Sequence, residues 1–278
     1  MSAGPREPDV SARLLATNLA PTLLCAVEDA GLNASAPPQQ LWMDGWIVRT
    51  SPGKAKRARC INAVARGTRP LDEQLAACAA VYAEAGLPMV VRLTPFTQPP
   101  GLDGHLAALG WPAFDDTRVM VLEGLDRWAQ SATWQVPNGL SEAVEGPGGY
   151  AAAVGALRGS SAGEIQAHAA RLAASPVPYT GVVWRDAGGA VAACGQLARE
   201  GAMVGLYDVF TAPSQRGRGR ATALCAGLLA RAAAQGARTA YLQVEAGNAP
   251  ARAVYRRLGF TDAYSYHYRA PGGEAAGT

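Results

Sequence analysis

The chain has 278 residues, 49% of them hydrophobic and 17% charged, with a formal charge of +3. Such a composition excludes a chain disordered overall, and so small a charge does not by itself suggest nucleic acid or an anionic membrane surface as a partner. No apolar run reaches bilayer length. Residues 1–9 are polar and do not read as a signal peptide. Five scattered cysteines (Cys25, Cys60, Cys78, Cys194 and Cys225) lack ligand spacing, which predicts reduced thiols in a cytoplasmic protein and no metal.

In chain order, a stretch at residues 42–62 carries Trp42, Gly45, Trp46, Arg49, Gly53, Arg57 and Asn62. The basic residues Lys54, Lys56, Arg57 and Arg59 there read as a solvated hairpin. A helix is predicted over 71–85, a strand over 89–94, a short helix near 102–109 and a strand near 118–122. Trp42, Trp46 and Trp111 are expected in a core or interface. His105 and His168 are expected at the surface. Residues 137–149 are rich in proline and glycine and read as a connector. It divides a first unit, 1–136, from a second, 150–270, and 271–278 reads as a loose tail.

In the second unit a helix is predicted over 163–174, and strands over 181–184 and 191–197 flank a turn at Ala187-Gly188-Gly189. Residues 203–211 read as a central strand covered on both faces. A helix follows over 219–235, stopped at Gly236, then an alternating strand over 239–245. Asn248 caps a short helix that Gly259 ends, and a final strand spans 261–269. The order echoes the first unit: Gly86 and Gly110 recur as Gly236 and Gly259 at an offset of about 150 residues. Helix and strand alternate in both, predicting mixed, helix-covered sheets of the α/β (α+β) class.

The chemistry centres on Arg216-Gly217-Arg218-Gly219-Arg220-Ala221, between the central strand and a helix. Unpartnered amides at a helix start, the positive end of its dipole and small residues suit a pyrophosphate. The loop lacks the Gly-Lys-Ser/Thr ending of a nucleotide-binding P-loop, and it lacks the dinucleotide fingerprint.

This loop resembles the Arg/Gln-x-x-Gly-x-Gly/Ala signature of the GNAT superfamily of N-acetyltransferases, with Arg216, Gly219 and Ala221 at its fixed positions. Asn248, Tyr255 and Leu258-Gly259-Phe260 resemble that family's downstream motif. The stretch 42–62 resembles, more weakly, the leading module of two-domain members. The resemblance implies tandem GNAT folds with splayed central strands, acetyl-CoA as co-substrate, and transfer of acetyl to a primary amine of a small molecule or peptide. It implies that Gly217, Arg218, Gly219, Arg220, Ala221 and Thr222 hold the pyrophosphate and that Val209, Phe210 and Thr211 pair with the pantetheine arm. Asn248 would contact the cofactor and Tyr255 would serve as acid to the thiolate. Some relatives carry a basic Glu where this chain has Gln243, so Glu245, Asp208 and His267 are the alternatives. Gln243 also leaves open a non-catalytic acyl-CoA sensor or scaffold. The first unit lacks the loop and is expected to bind no coenzyme A. Monomer and homodimer both remain open.

Overall fold

The computed structural model describes residues 11–15, 18–53 and 55–272. The expectations for residues 1–9, for Lys54 and for the tail from 273 onward lie outside them.

The first half contributes α1 (Pro21–Ala34), β1 (Gln40–Met43), β2 (Trp46–Arg49), β3 (Ile61–Ala63), α2 (Leu71–Glu84), β4 (Val91–Leu93), α3 (Leu102–Ala108), β5 (Ala113–Glu123) and α4 (Leu125–Ser131). The second contributes β6 (Leu140–Glu145), α5 (Pro147–Arg158), α6 (Ala162–Ala173), β7 (Tyr179–Asp186), β8 (Val191–Glu200), β9 (Met203–Thr211), α7 (Arg220–Ala234), β10 (Thr239–Glu245), α8 (Ala249–Arg257) and β11 (Thr261–Arg269).

The stretch read as a connector is therefore structured. Residues 140–145 form an edge strand, paired antiparallel with β7 from Leu140↔Asp186 to Glu145↔Gly181. Its polar residues mask it in sequence, but each finds a partner on a neighbouring element. Glu142 accepts from Trp184 Nε1 (3.1 Å) and Arg231 Nη2 (2.7 Å), and Glu145 accepts from Arg185 (3.2 Å). Pro147 then opens α5, where a missing amide costs nothing and the fixed φ suits the first turn.

All eleven strands form one sheet in the order β1-β2-β3-β4-β11-β5-β10-β9-β8-β7-β6. The parallel pair β3/β4 of the first half is matched by the parallel pair β9/β10 of the second. The last strand of each half then crosses over. β5 lies antiparallel between β10 and β11, and β11 lies antiparallel between β4 and β5. Each half thus completes its sheet with a strand of the other.

Helices cover both faces. Leu224, Leu228 and Leu229 of α7 pack on Val204, Leu206 and Leu242, together with Met120 and Leu122 from the first half. On the other face α1 lays Leu24, Val27 and Ala34 across Val119, Val121, Tyr207, Tyr241 and Tyr264. α2 and α3 cover β2–β4 through Leu75, Cys78, Tyr82, Leu102 and Leu106. Trp46 and Trp111 pack in this last core, whereas Trp42 is 66% exposed because β1 is the sheet's outer edge. No helix among the described residues is long and apolar enough to cross a membrane.

One buried charge cluster sits where the halves exchange strands. Glu28 of α1 receives a two-pronged ion pair from Arg92 of β4, one arm at 3.1 Å, and a hydrogen bond from Tyr264 of β11 (2.6 Å). The Arg92 guanidinium also stacks over Tyr266, 4.0 Å from the ring centroid. Burial alone would raise the Glu28 pKa, but the charge and hydrogen bonds of Arg92 outweigh it and hold the carboxyl below its ordinary value.

Two outcomes follow from this topology and chemistry. Replacing Glu28 by Leu strands a buried guanidinium and should cost about 3–5 kcal/mol in denaturant unfolding. Because the folded pKa of Glu28 is depressed, its contribution is complete above the unfolded value near ~4.3. It is lost as pH falls through the folded value, so wild type and variant should converge in strong acid. Secondly, halves expressed separately and divided near residue 135 should each lack a cooperative melt, and should regain one only when mixed. A cooperative melt of either half alone would refute the structural interdependence of the exchanged strands.

Candidate active site

β9 and β10 pair in parallel from Met203↔Thr239 to Leu206↔Leu242 and no further, so beyond Leu206 the two strands part. The register of β8 with β9 slips between Cys194 and Gln196, opposite Asp208 and Val209. This bulge turns Asp208 to φ 48°, a left-handed conformation that Asp tolerates better than most residues. The Tyr150 hydroxyl pins the bulge by donating to the Asp208 carbonyl (2.9 Å).

The split opens into a cavity of about 560 Å³. Six of the residues expected from sequence line it: Asp208, Val209, Phe210, Glu245, Asn248 and Tyr255. Asn248 caps α8 by accepting from the Ala251 amide (3.2 Å). Tyr255 packs edge-on to Phe260, and burial pushes its phenol pKa up, so it stays protonated at neutral pH. Glu245 is exposed at the end of β10 and has no ion-pair partner among the described residues.

The first half supplies the opposite wall. Ser51, Lys56, Arg57, Asp115 and Thr117 all face the cavity. The basic stretch is therefore not a purely solvated hairpin. Lys56 pairs with Asp115 (2.7 Å), while Arg57 reaches Tyr266 Oη (3.4 Å), which in turn donates to Gln243 Oε1 (2.9 Å). Gln243 thus holds a wall residue in place.

Two of the three candidate bases are otherwise engaged. Asp208 accepts from Arg158 Nη2 (2.8 Å) and Gln196 Nε2 (2.7 Å), and His168 Nε2 stands 3.2 Å from its Oδ2, off the line of a hydrogen bond. Burial opposes its charge, but His168 and Arg158 together hold its carboxyl far below the usual carboxylate range. It is an anchor for cations and a poor proton acceptor. His267 lies on an interior strand, fully buried, with Nε2 3.0 Å from Asp103. It does not line the cavity, because β11, last in sequence, is central in space.

His168 is not a surface residue: its side chain is 16% exposed and lines the cavity beside Arg171. Glu164, His168 and Arg171 share one face of α6, at spacings a helix brings together. That spacing was visible in sequence, but nothing there showed that the polar face looks inward. His105 pairs with Asp72 (2.9 Å) outside the site.

The glycine loop lies beyond the cavity's end. Gly217 and Gly219 both adopt φ 72°, with nothing within 4 Å of where a Cβ would stand. Gly219 is the N-cap of α7 and offers no side chain to the helix start. The amides of Gly217, Arg218, Gly219, Arg220, Ala221 and Thr222 have no acceptor among the described residues, which leaves an open cradle for an anion. Arg216 folds back to the Thr211 carbonyl (3.3 Å) and over Phe210. Gly219 and Thr222 also border a second recess walled by Trp128, Trp134 and Arg257. Thr211, Arg216, Gly217, Arg218, Arg220 and Ala221 border neither cavity.

The corresponding loop of the first half is already filled. The Asp44 carboxylate accepts from the amides of Thr68 (2.7 Å) and Arg69 (2.8 Å) and from the Thr68 hydroxyl (3.0 Å). Those bonds, from Arg69 first, lower its pKa. Among the described residues, no group of three or more His, Cys, Asp or Glu side chains is placed to hold a metal ion.

Comparison with known proteins agrees with this geometry. Residues 24–269 match the family model described as "Probable histone acetyltransferase Rv0428c C-terminal". A stretch of 79 residues is 43% identical to the mycothiol acetyltransferase of Clavibacter michiganensis subsp. michiganensis, and spans only 28% of this chain and 26% of that protein. Among solved structures, a GCN5-related N-acetyltransferase from Kribbella flavida superposes with a TM-score of 0.63 at 19% identity, over 90% of this chain and 96% of that one. A tandem GNAT protein from the clavulanic acid biosynthesis pathway superposes at 0.60 and 18% identity, over 76% and 75%.

The bulge can be tested by substitution. Asp208→Asn keeps a residue that tolerates the left-handed conformation, whereas Asp208→Val does not. Denaturant unfolding should place the valine variant about 1–3 kcal/mol below the asparagine variant.

Proposed function

Since the chain belongs to the Rv0428c C-terminal acetyltransferase family and has the GNAT fold, we propose that it moves an acetyl group from acetyl-CoA to a primary amine of a small molecule or peptide. The observation that carries this reading is the pairing of an open amide cradle at the start of α7 with a split between β9 and β10. A pyrophosphate fits the first and an extended thioester arm the second.

In this reading the amides of residues 217–222 hold the pyrophosphate, helped by the positive end of α7. Gly217 and Gly219 fit the role because no side chain crowds their outward face. Acetyl-CoA, when bound, supplies the activated acyl group. Val209, Phe210 and Thr211 flank the arm, and the Val209 amide polarises the thioester carbonyl; the end of β9–β10 pairing at Leu206 supports this reading. Tyr255, held protonated by burial, donates to the departing sulfur. Asn248 orients the start of α8 on which Tyr255 rides.

The amine must shed a proton to attack. Glu245 is the group proposed to take it, directly or through water, because it faces the cavity with no cation holding its charge. Asp208 fixes His168 and Arg158 along the acceptor side. The first-half loop binds no second coenzyme, since Asp44 occupies its amides.

Calorimetric titration of acetyl-CoA should give one site per chain. Gly219→Glu, which strains the left-handed position and repels phosphate, should weaken binding by at least about 100-fold. Two sites, or unchanged affinity in the variant, would refute the loop assignment. With an accepted amine, Glu245→Gln should lower kcat/KM by about 100-fold or more while leaving acetyl-CoA affinity unchanged; an unaltered kcat/KM would remove Glu245 as the base.

A further inference from the structure

The charges lining the cavity are not all paired: besides Glu245 at the end of β10, two cations stand without a carboxylate partner. Lys56 is matched by Asp115 (2.7 Å) and Arg158 by Asp208 (2.8 Å). Glu164 is engaged at the start of α6, where it accepts from the Ser161 amide (2.8 Å). Two guanidiniums remain. The Arg57 side chain, from the first half, hydrogen-bonds the neutral Tyr266 hydroxyl and pairs with no carboxylate, and its Nε is buried with no acceptor. Arg171, from the inward face of α6, has no hydrogen-bond or ion-pair partner among the described residues.

Both side chains converge on the same aromatic wall. Arg57 stands 5.7 Å from the centroid of Tyr207. Burial raises the pKa of Tyr207 and Tyr179, and at both hydroxyls the charges of Arg57 and Arg171 pull the other way. A buried guanidinium nitrogen without an acceptor is costly; Arg92 and Arg252 carry one too, but each is otherwise ion-paired to a carboxylate, whereas Arg57 is not. A planar fork of donors is matched by a carboxylate or phosphate.

We propose that the acceptor amine carries an acidic group, a carboxylate or a phosphate, held between Arg57 and Arg171. The proposal rests on the acetyltransferase reading for the word acceptor, while the anion site stands on this cavity alone. It assigns the two halves distinct tasks: the second half supplies the acyl-transfer machinery and Arg171, and the first half supplies the other arm of the clamp. A neutral amine would fill the cavity yet leave both guanidiniums unanswered.

The test measures anion binding without turnover. Glutarate and, separately, inorganic phosphate are titrated into the full chain by calorimetry, with wild type beside Arg57→Gln and Arg171→Gln. Arg171 lies on an outer helix, so its variant should keep the wild-type melting temperature even if the Arg57 variant does not. Binding to wild type, weakened at least about tenfold in Arg171→Gln and in any folded Arg57→Gln, is the expected result. Only binding that Arg171→Gln weakens is counted, since phosphate can also occupy the amide cradle at the start of α7; a loss for glutarate marks a carboxylate acceptor and a loss for phosphate a phosphorylated one. No binding to wild type, or equal binding by wild type and Arg171→Gln, would overturn the proposal whatever an acetylation assay returns. Where acetylation is observed, amino acids should exceed their carboxamides in kcat/KM by about tenfold or more. Arg171→Gln should erase that preference without changing acetyl-CoA affinity, and equal efficiency in wild type would also overturn it.

Discussion

The structure depends on a reciprocal exchange of strands. β5 closes the sheet of the second half and β11 that of the first, so the middle of the sheet belongs to neither. Every residue of β11 from Ala263 to Tyr268 is buried, although the strand comes last in sequence. The exchange carries its own lock in Glu28, Arg92 and Tyr264, three polar side chains from three elements that bond to one another out of water. Such a cluster contributes little net energy but penalises every other pairing of the central strands. Neither unit of the chain is complete without the other, even though each repeats the same order of helices and strands.

From that arrangement the cavity inherits its two walls. The parallel pairing of β9 with β10 is abandoned after Leu206, and β10 is instead held along its whole length by β5. The splay is therefore supported from outside by a strand of the other half. Tyr150 and the Asp208 cluster hold the facing side, where a bulge directs a carboxylate towards Arg158, Gln196 and His168. The acyl-transfer parts come from the second half, while Arg57 and Lys56 arrive from the first through a loop between β2 and β3.

How much of this was legible depended on whether the information was local. The strands over 203–211, 239–245 and 261–269 are bounded in the structure as the sequence predicts, and α7 ends just before Gly236 as expected. The glycine loop was legible because close approach and positive φ restrict the residue type at Gly217 and Gly219. What failed was neighbour identity. β6 carries Glu142, answered by Trp184 and Arg231, partners 42 and 89 residues away in sequence. His267 read as a candidate base because nothing local shows that the final strand is interior and its histidine fully buried. Asp208 looked like a base until Arg158 and His168 appeared beside it. Arg57 read as solvated because nothing local reveals that Tyr207 and Tyr266 surround it.

The exchanged strands also decide how this molecule can move. Two-lobed enzymes commonly admit substrate by swinging about a linker, which requires an interface that can part. Here parting the lobes would strip both β5 and β11 of their backbone partners, so the chain has no hinge between its halves. The two walls of the cavity keep a fixed spacing, and access is left to side chains and to the loops at its mouth. The pocket acts as a gauge whose two walls are both carried by one shared sheet.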